Sequence, residues 1–179
     1  APRLVYIQKN PGRLTGLVSR SVEIDPRTPL GQLMAAGHDE LNMADPKVLR
    51  AAVQFLKDQV PSEHFALDVW GHGGAWRGLA RDDGSRDELG VADGELADAL
   101  AGLQVDVLSF DACLMSSEEV AEVGAKLEAS WMVGSEESET AGGWDYTAVL
   151  AKVEGLYRTQ VEATAEAVNA KMKELSPFF

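Results

Sequence analysis

The sequence holds one cysteine in 179 residues, Cys113. It closes no internal disulfide and supplies no cysteine-rich zinc site. Histidine is nearly as scarce: His38, His64 and His72 are scattered, with no metal-ligand spacing. No run approaches the ~18 apolar residues that a membrane span needs. Basic residues are outnumbered 16 to 29 by acidic ones, a net charge of −13. Such a field repels phosphate backbones, and no local basic patch offsets it, so nucleic-acid binding is excluded. A basic partner or substrate fits this charge, as does plain solubility. There is no internal repeat, no low-complexity tract, no Walker sequence and no Gly-x-Ser-x-Gly elbow. Residues 71–78 are glycine-rich, but Trp76 stands where a dinucleotide fingerprint needs its third glycine. The chain does not start with Met and shows no signal-peptide pattern, so it is expected to be a mature or trimmed piece.

What is present is an ordinary globular composition, 45% hydrophobic and 25% charged. The length suggests one domain, read here as residues 1–179. Leu4–Ile7 reads as a strand ending at Asn10-Pro11-Gly12, with a weaker strand from Leu17 to Ile24. Pro26 and Pro29 then break the chain. Asp45-Pro46 opens a helix with Asp as N-cap, whose apolar face is Val48, Leu49, Ala52, Val53 and Leu56. Phe65–Trp70 reads as a buried strand and Arg81–Glu88 as a polar loop. A helix follows through Leu96, Leu100 and Leu103. Val105–Phe110 is the clearest strand, followed by a helix with Val120, Val123 and Leu127 inward. Trp131–Val133 is a further strand. A long amphipathic helix with Val161, Ala165, Val168, Met172 and Leu175 inward closes the chain. Short apolar strands between amphipathic helices define an α/β fold with a mostly parallel sheet and helices on both faces. Sites in such folds form at the C-terminal ends of strands.

Two strand ends carry chemistry. Cys113 follows the clearest strand, and the pattern places it in the first turn of the next helix, where backbone N–H groups favour a thiolate and can hold an oxyanion. His72 ends the neighbouring strand-helix unit, forty-one residues earlier. Adjacent parallel strands lie roughly 5 Å apart, so both side chains can serve one site. Each residue also has a plainer role, Cys113 as a small buried hydrophobe and His72 as a loop cap. His64, before its strand, and His38, in the irregular stretch ahead of the helix, read as structural.

The residues Trp70-Gly71-His72-Gly73-Gly74-Ala75-Trp76-Arg77-Gly78 resemble the "HG…GW" segment of clostripain-family cysteine peptidases, of the caspase-like clan. Phe110-Asp111-Ala112-Cys113-Leu114-Met115 resembles that family's "DACLM" segment. Asn42-Met43-Ala44-Asp45-Pro46, Glu118-Glu119-Val120-Ala121, Gly134-Ser135-Glu136-Glu137 and Gly143-Trp144-Asp145-Tyr146 also have counterparts, in order from about Glu40 to Leu150. The resemblance implies a caspase-like three-layer α/β/α sandwich and a cysteine endopeptidase. His72 would be the general acid/base, Cys113 the nucleophile, and the N–H groups of Gly73 and Cys113 the oxyanion hole.

The resemblance also implies that Asp111 lines the pocket for the residue before the scissile bond (P1). A carboxylate there pairs with Arg, bidentately, or with Lys. Such a charge opposes a thiolate at Cys113, so Asp111 should point into the pocket and away from the sulfur. The alternative is that Asp111 caps the following helix. Glu136 and Glu139 are further candidates for the pocket rim, and Trp144 is either a pocket wall or a core residue. Arg81 and Arg86 are candidate sites of activating cleavage. Asp82, Asp83, Asp87 and Glu88 are oxygen ligands that suit Ca²⁺, or simply a solvated loop; the thiol chemistry itself requires no cofactor and no metal.

The sequence lacks the extra strand with which the family's domain begins, so the chain is expected to be a fragment of a longer protein whose upstream segment or companion chain fills that slot. The implied partner is a polypeptide with a basic P1 residue, and the resemblance leans toward a secreted or cell-envelope compartment. Two other function classes are open: a catalytically inactive caspase-like module that binds a protein partner, and a hydrolase of small amides.

Overall fold

The structure, a computed structural model, describes residues 3–9, 17–36, 41–158 and 173–174. The elements in chain order are β1 (Arg3–Lys9), β2 (Leu17–Glu23), α1 (Pro29–Ala36), α2 (Pro46–Gln59), β3 (Ala66–Trp70), β4 (Gly78–Asp82), β5 (Asp87–Gly90), α3 (Glu95–Leu100), β6 (Val107–Asp111), α4 (Glu118–Lys126), β7 (Trp131–Val133) and α5 (Tyr146–Arg158). They fall into two compact units. One comprises residues 1–23 and 144–179, and the other residues 24–143.

In the first unit β1 and β2 form an antiparallel pair, Arg3 opposite Glu23 through Lys9 opposite Leu17, and α5 is the described helix. The expected inward face Val161, Ala165, Val168, Met172 and Leu175 lies outside the described residues, as does His38.

The second unit is built on a parallel sheet in the order β3-β6-β7. This is the α/β fold with a mostly parallel sheet that the pattern of strands and helices implied. Leu67 and Val69 of β3 and Leu108 and Phe110 of β6 face one core with α2, α3 and α4, in which Val53, Leu79, Leu89, Leu96, Leu100, Met115 and Val120 are also buried. At roughly 25 cal/mol per Å², burial of such side chains dominates the favourable free energy of folding.

Three sequence expectations change. α1 was not foreseen, because Pro26 and Pro29 read as breaks. Pro29 instead starts the helix, where a missing N–H costs nothing, and the Thr28 hydroxyl accepts from the Gly31 N–H at 3.1 Å. α2 was expected to bury one face. It buries two: Leu49 and Val53 meet the main core, while Ala51 and Phe55 border a groove of about 570 Å³ shared with Leu33 of α1. That groove is lined by none of the chemically reactive candidates. Finally, β3 is half-exposed rather than buried. Among the described residues it pairs only with β6, and its second face presents Ala66, Asp68 and Trp70.

The cap of α2 follows the sequence. Asp45 accepts from the Lys47 N–H at 2.8 Å with Pro46 in the first turn. At the N-terminal end of β3, Asp106 accepts from the Phe65 N–H at 2.7 Å and pairs with His64 at 3.2 Å. The Phe65 N–H, then His64, hold the Asp106 carboxyl below its ordinary range. His64 thus sits at the end of the sheet opposite to His72.

Candidate active site

The β3–β6 register is the frame of the site. It pairs Ala66 with Val107 and ends with Trp70 opposite Asp111. Both strands then turn at the same level, which puts the segments carrying His72 and Cys113 side by side.

The His72 loop is clamped from two directions. The Gly71 N–H donates to the Asp111 carbonyl at 3.2 Å, carrying the ladder one residue past β3. On the other side the Ala80 N–H donates to the His72 carbonyl at 2.9 Å, and the Gly74 N–H to the Gly78 carbonyl at 2.8 Å. These two bonds make a bridge between Gly73 and Leu79 in which the Gly73 N–H takes no part. The His72 side chain is exposed.

The Cys113 turn is clamped by the segment after β7. The Leu114 N–H donates to the Glu137 carbonyl and the Ser116 N–H to the Ser135 carbonyl, each at 3.0 Å. Leu114 has φ +63°, a left-handed conformation that costs a non-glycine residue about 1 kcal/mol or more. Such a residue cannot continue a helix. Cys113 therefore lies in a turn and not, as expected, in the first turn of a helix: α4 begins only at Glu118, with Ser117 in the N-cap position. The helix-cap role open to Asp111 falls away for the same reason, since Asp111 is the last residue of β6. In place of a helix start, the Glu139 N–H points at the cysteine, 3.3 Å from Sγ. Sequence reasoning weighed only the Glu139 side chain. A backbone donor has no sequence signature, so the contact was invisible there.

The two loops touch through Gly73. A methyl built on it would strike the Cys113 carbonyl oxygen and would lie 3.0 Å from Met115 Cγ and 3.1 Å from Ala112 Cβ. Only glycine lets the His72 loop rest on the Cys113 backbone. Cys113 is half-buried, and among the described residues neither its N–H nor that of Gly73 donates a hydrogen bond.

Asp111 is 2% exposed and Trp70, opposite it, 68% exposed. Gly143, at φ +64°, comes down beside both. A methyl there would sit 2.6 Å from Asp111 Oδ2 and 3.1 Å from Trp70 Nε1. Asp111 is thus buried in register with an exposed tryptophan, and a glycine of the Thr140–Gly143 turn packs close to both. Of the other candidates, Glu136 is exposed and Glu139 half-buried. Trp144 is buried, and its ring lies 6.4 Å from that of Tyr146.

The expected polar loop at Arg81–Glu88 is a β-hairpin, β4–β5. Its tip is locked by side chains. Asp82 accepts from the Ser85 and Met43 N–H groups at 2.9 Å, and Asn42 donates to Asp87 at 2.6 Å. The Ser85 and Met43 donors hold the Asp82 carboxyl below its ordinary range. Arg81 is exposed and pairs with Asp83 at 3.0 Å, and Arg86 has φ +59°. Two of the carboxylates considered for Ca²⁺ are engaged by N–H donors, and among the described residues no group of three or more His, Cys, Asp or Glu side chains is arranged to hold a metal ion. No helix of the described residues is long and apolar enough to cross a membrane.

A parallel sheet with a His-Gly loop and a cysteine turn packed together at its C-terminal edge defines the class as a caspase-like cysteine peptidase fold. The comparisons narrow it. The model of the clostripain family matches residues 20–176, and the chain belongs to that family. It is 32% identical over 117 residues to clostripain of Hathewaya histolytica, covering 58% of this chain and 22% of clostripain. Among solved structures it resembles a secreted C11 cysteine protease from Bacteroides thetaiotaomicron, bound there to an irreversible peptide inhibitor. That likeness has a TM-score of 0.61 and 20% identity over 95% of this chain and 44% of the other. It also resembles an inactive zymogen C11 protease from Parabacteroides distasonis, with a TM-score of 0.56 and 23% identity over 86% of this chain and 40% of the other. The chain spans less than half the length of each of these relatives.

Proposed function

We propose that this chain carries the dyad of a cysteine endopeptidase that cleaves after a basic P1 residue, Arg or Lys, with Cys113 as nucleophile and His72 as general acid/base. The observation that carries the reading is the packing of Gly73 on the Cys113 turn, with Asp111 buried two residues before the cysteine.

In this mechanism the Cys113 thiol passes its proton to His72, Sγ attacks the scissile carbonyl and a C–S bond forms. The carbonyl oxygen becomes an oxyanion, which the N–H groups of Gly73 and Cys113 receive; both are unspent among the described residues. Removing one such donor typically costs about 10²–10³-fold in kcat. His72 gives its proton to the leaving amine as the C–N bond breaks, leaving an acyl-enzyme. Water, losing a proton to His72, then hydrolyses the thioester, and His72 returns that proton to the departing Sγ, restoring the thiol. None of these steps draws on a cofactor. Asp111 faces the P1 cation, and Glu136 is assigned to the surrounding substrate contacts. The similarity to clostripain supports the peptidase reading, and the acidic surface suits a cationic substrate.

Arg81 and Arg86 are proposed as sites of activating cleavage. Peptidases take substrates in extended form, so the hairpin tip has to open first. The test of the whole reading is a fluorogenic peptide panel with Arg, Lys, Asp, Asn and Leu at P1. Cleavage after Arg or Lys that disappears in Cys113→Ala is expected. Undiminished cleavage by Cys113→Ala, or silence of the processed protein on the entire panel, contradicts it. Silence would favour the partner-binding module.

A further inference from the structure

Large apolar side chains gathered at the surface mark places where something binds. Among the described residues five are exposed, and three of them, Trp70, Trp76 and Leu114, sit on the two segments that meet at the site. The mechanism gives Trp76 no task. Its place along the His72 loop suggests one. The loop leaves β3 beside Asp111, where the Gly71 N–H donates to the Asp111 carbonyl. It then crosses the cysteine turn, with Gly73 against the Cys113 carbonyl and Ala112. Past that crossing it bends through a turn closed by the Arg77 N–H on the Gly74 carbonyl at 3.3 Å, with Trp76 at the tip. Along this path the Cys113 turn lies between Asp111 and Trp76. The tip is held in place. Ala75 makes the bend in a left-handed conformation, φ +57°. The Ala92 N–H donates to the Trp76 carbonyl at 2.9 Å and the Val91 N–H to the Arg77 carbonyl at 3.3 Å. The Arg77 guanidinium lies over the indole, 5.9 Å from the ring centre. The ring is an apolar plate, 52% exposed, on a backbone already ordered for contact.

We propose that Trp76 forms an apolar subsite for the substrate residues two and three places after the scissile bond (P2′ and P3′), and favours large apolar side chains there. This rests on the dyad reading above. A substrate whose P1 side chain goes to Asp111 and whose carbonyl meets Cys113 carries its leaving half away from Asp111, along the loop whose His72 protonates the amine. Trp76 stands three residues beyond Gly73, at most about 10 Å of chain. An extended substrate advances about 3.3 Å per residue, so the indole comes level with the second or third residue of the leaving half. An apolar side chain at that point covers ring surface that water otherwise wets.

The test measures kcat/KM on the processed protein and its Trp76→Ala, Trp76→Gln, Trp76→Phe and Cys113→Ala variants. The substrates are internally quenched peptides with P1 Arg and one common sequence before the scissile bond, carrying Gly, Asp, Leu or Phe at P2′ or P3′. A P1-Arg aminomethylcoumarin peptide, with no amino acid after the scissile bond, is the control. Wild type should cut the Leu and Phe peptides about three- to tenfold faster than the Gly ones. Trp76→Ala should erase that preference and leave the coumarin substrate within about twofold of wild type, with Trp76→Phe keeping most of the preference. Melting curves check folding, and Trp76→Gln, polar but of substantial bulk, must lose the preference as Trp76→Ala does. A wild type indifferent to P2′ and P3′, or a preference that survives in Trp76→Ala, overturns the subsite. So does an equal loss on the coumarin substrate, which would make Trp76 a support of the His72 loop. Failure of the dyad reading looks different: Cys113→Ala then cuts every peptide as wild type does, or wild type cuts none, and the subsite falls with it.

Discussion

Gly73→Ala is the sharpest probe of how the site is assembled. The residue is not among those with positive φ, so alanine carries no conformational penalty there and the effect is purely one of space. The added methyl would meet the Cys113 carbonyl oxygen, Met115 Cγ at 3.0 Å and Ala112 Cβ at 3.1 Å. Met115 is flexible, but the carbonyl and Ala112 belong to a turn pinned at Leu114 and Ser116. The His72 loop must therefore back away by roughly 1 Å, a displacement that can cost about 10²-fold in rate. Overpacking of this kind destabilises by about 1–3 kcal/mol, or some 2–4 °C per kcal/mol for a chain of this size. Gly142→Ala is the control, because a methyl at Gly142 meets nothing within 4 Å. Peptide hydrolysis and thermal melting should show Gly73→Ala about a hundredfold slower and a few degrees less stable, with Gly142→Ala near wild type. Full activity in Gly73→Ala would refute the claim that the two loops must touch.

Three further outcomes follow from the same structure. Glu139→Pro removes the N–H that Cys113 Sγ accepts and should lower kcat about tenfold with KM little changed, whereas Glu139→Ala keeps the N–H and the rate; equal effects in steady-state kinetics would make the side chain responsible. Asn42→Ala frees the hairpin tip from its bonds to Asp87 and Ser85, and mass spectrometry should find faster nicking after Arg81 or Arg86; an unchanged rate would mean that tip opening does not limit processing. Asp106 has its folded pKa below the ordinary 3.8, so its contribution is present above that value and is lost as pH falls through the folded one. After allowing for its partial exposure, Asp106→Asn should cost about 1 kcal/mol at pH 7, with the gap to wild type closing below about pH 4 in denaturant titrations; a gap constant with pH would remove the carboxylate from the account.

Much of this arrangement was legible in the residues. The strand read as Val105–Phe110, found at Val107–Asp111, and the Asp45-Pro46 cap announce themselves through local chemistry. That the loops carrying His72 and Cys113 lie side by side follows from two strands of a parallel sheet ending together. What stayed hidden was set by contacts distant in sequence. The hairpin at 78–90 carries little apolar alternation and is held by Asn42, some forty residues earlier. The turn at Cys113 looks like a helix start until Leu114 takes a left-handed conformation, which the Glu137 carbonyl secures. Trp70 reads as the end of a buried strand because its exposure depends on which strands flank it.

The central claim is that Cys113 and His72 form one nucleophilic centre behind a basic-P1 pocket. The most direct measurement is intact-protein and peptide mass spectrometry after treatment with a P1-Arg peptidyl chloromethyl ketone, on wild type, His72→Ala and Asp111→Asn, with a P1-Asp reagent as control. The account expects one adduct, on Cys113, formed rapidly with the Arg reagent in wild type and far more slowly in Asp111→Asn, with His72→Ala deficient in peptide turnover. Labelling of Cys113 at the same rate by the Arg and Asp reagents would contradict it, as would full turnover in His72→Ala.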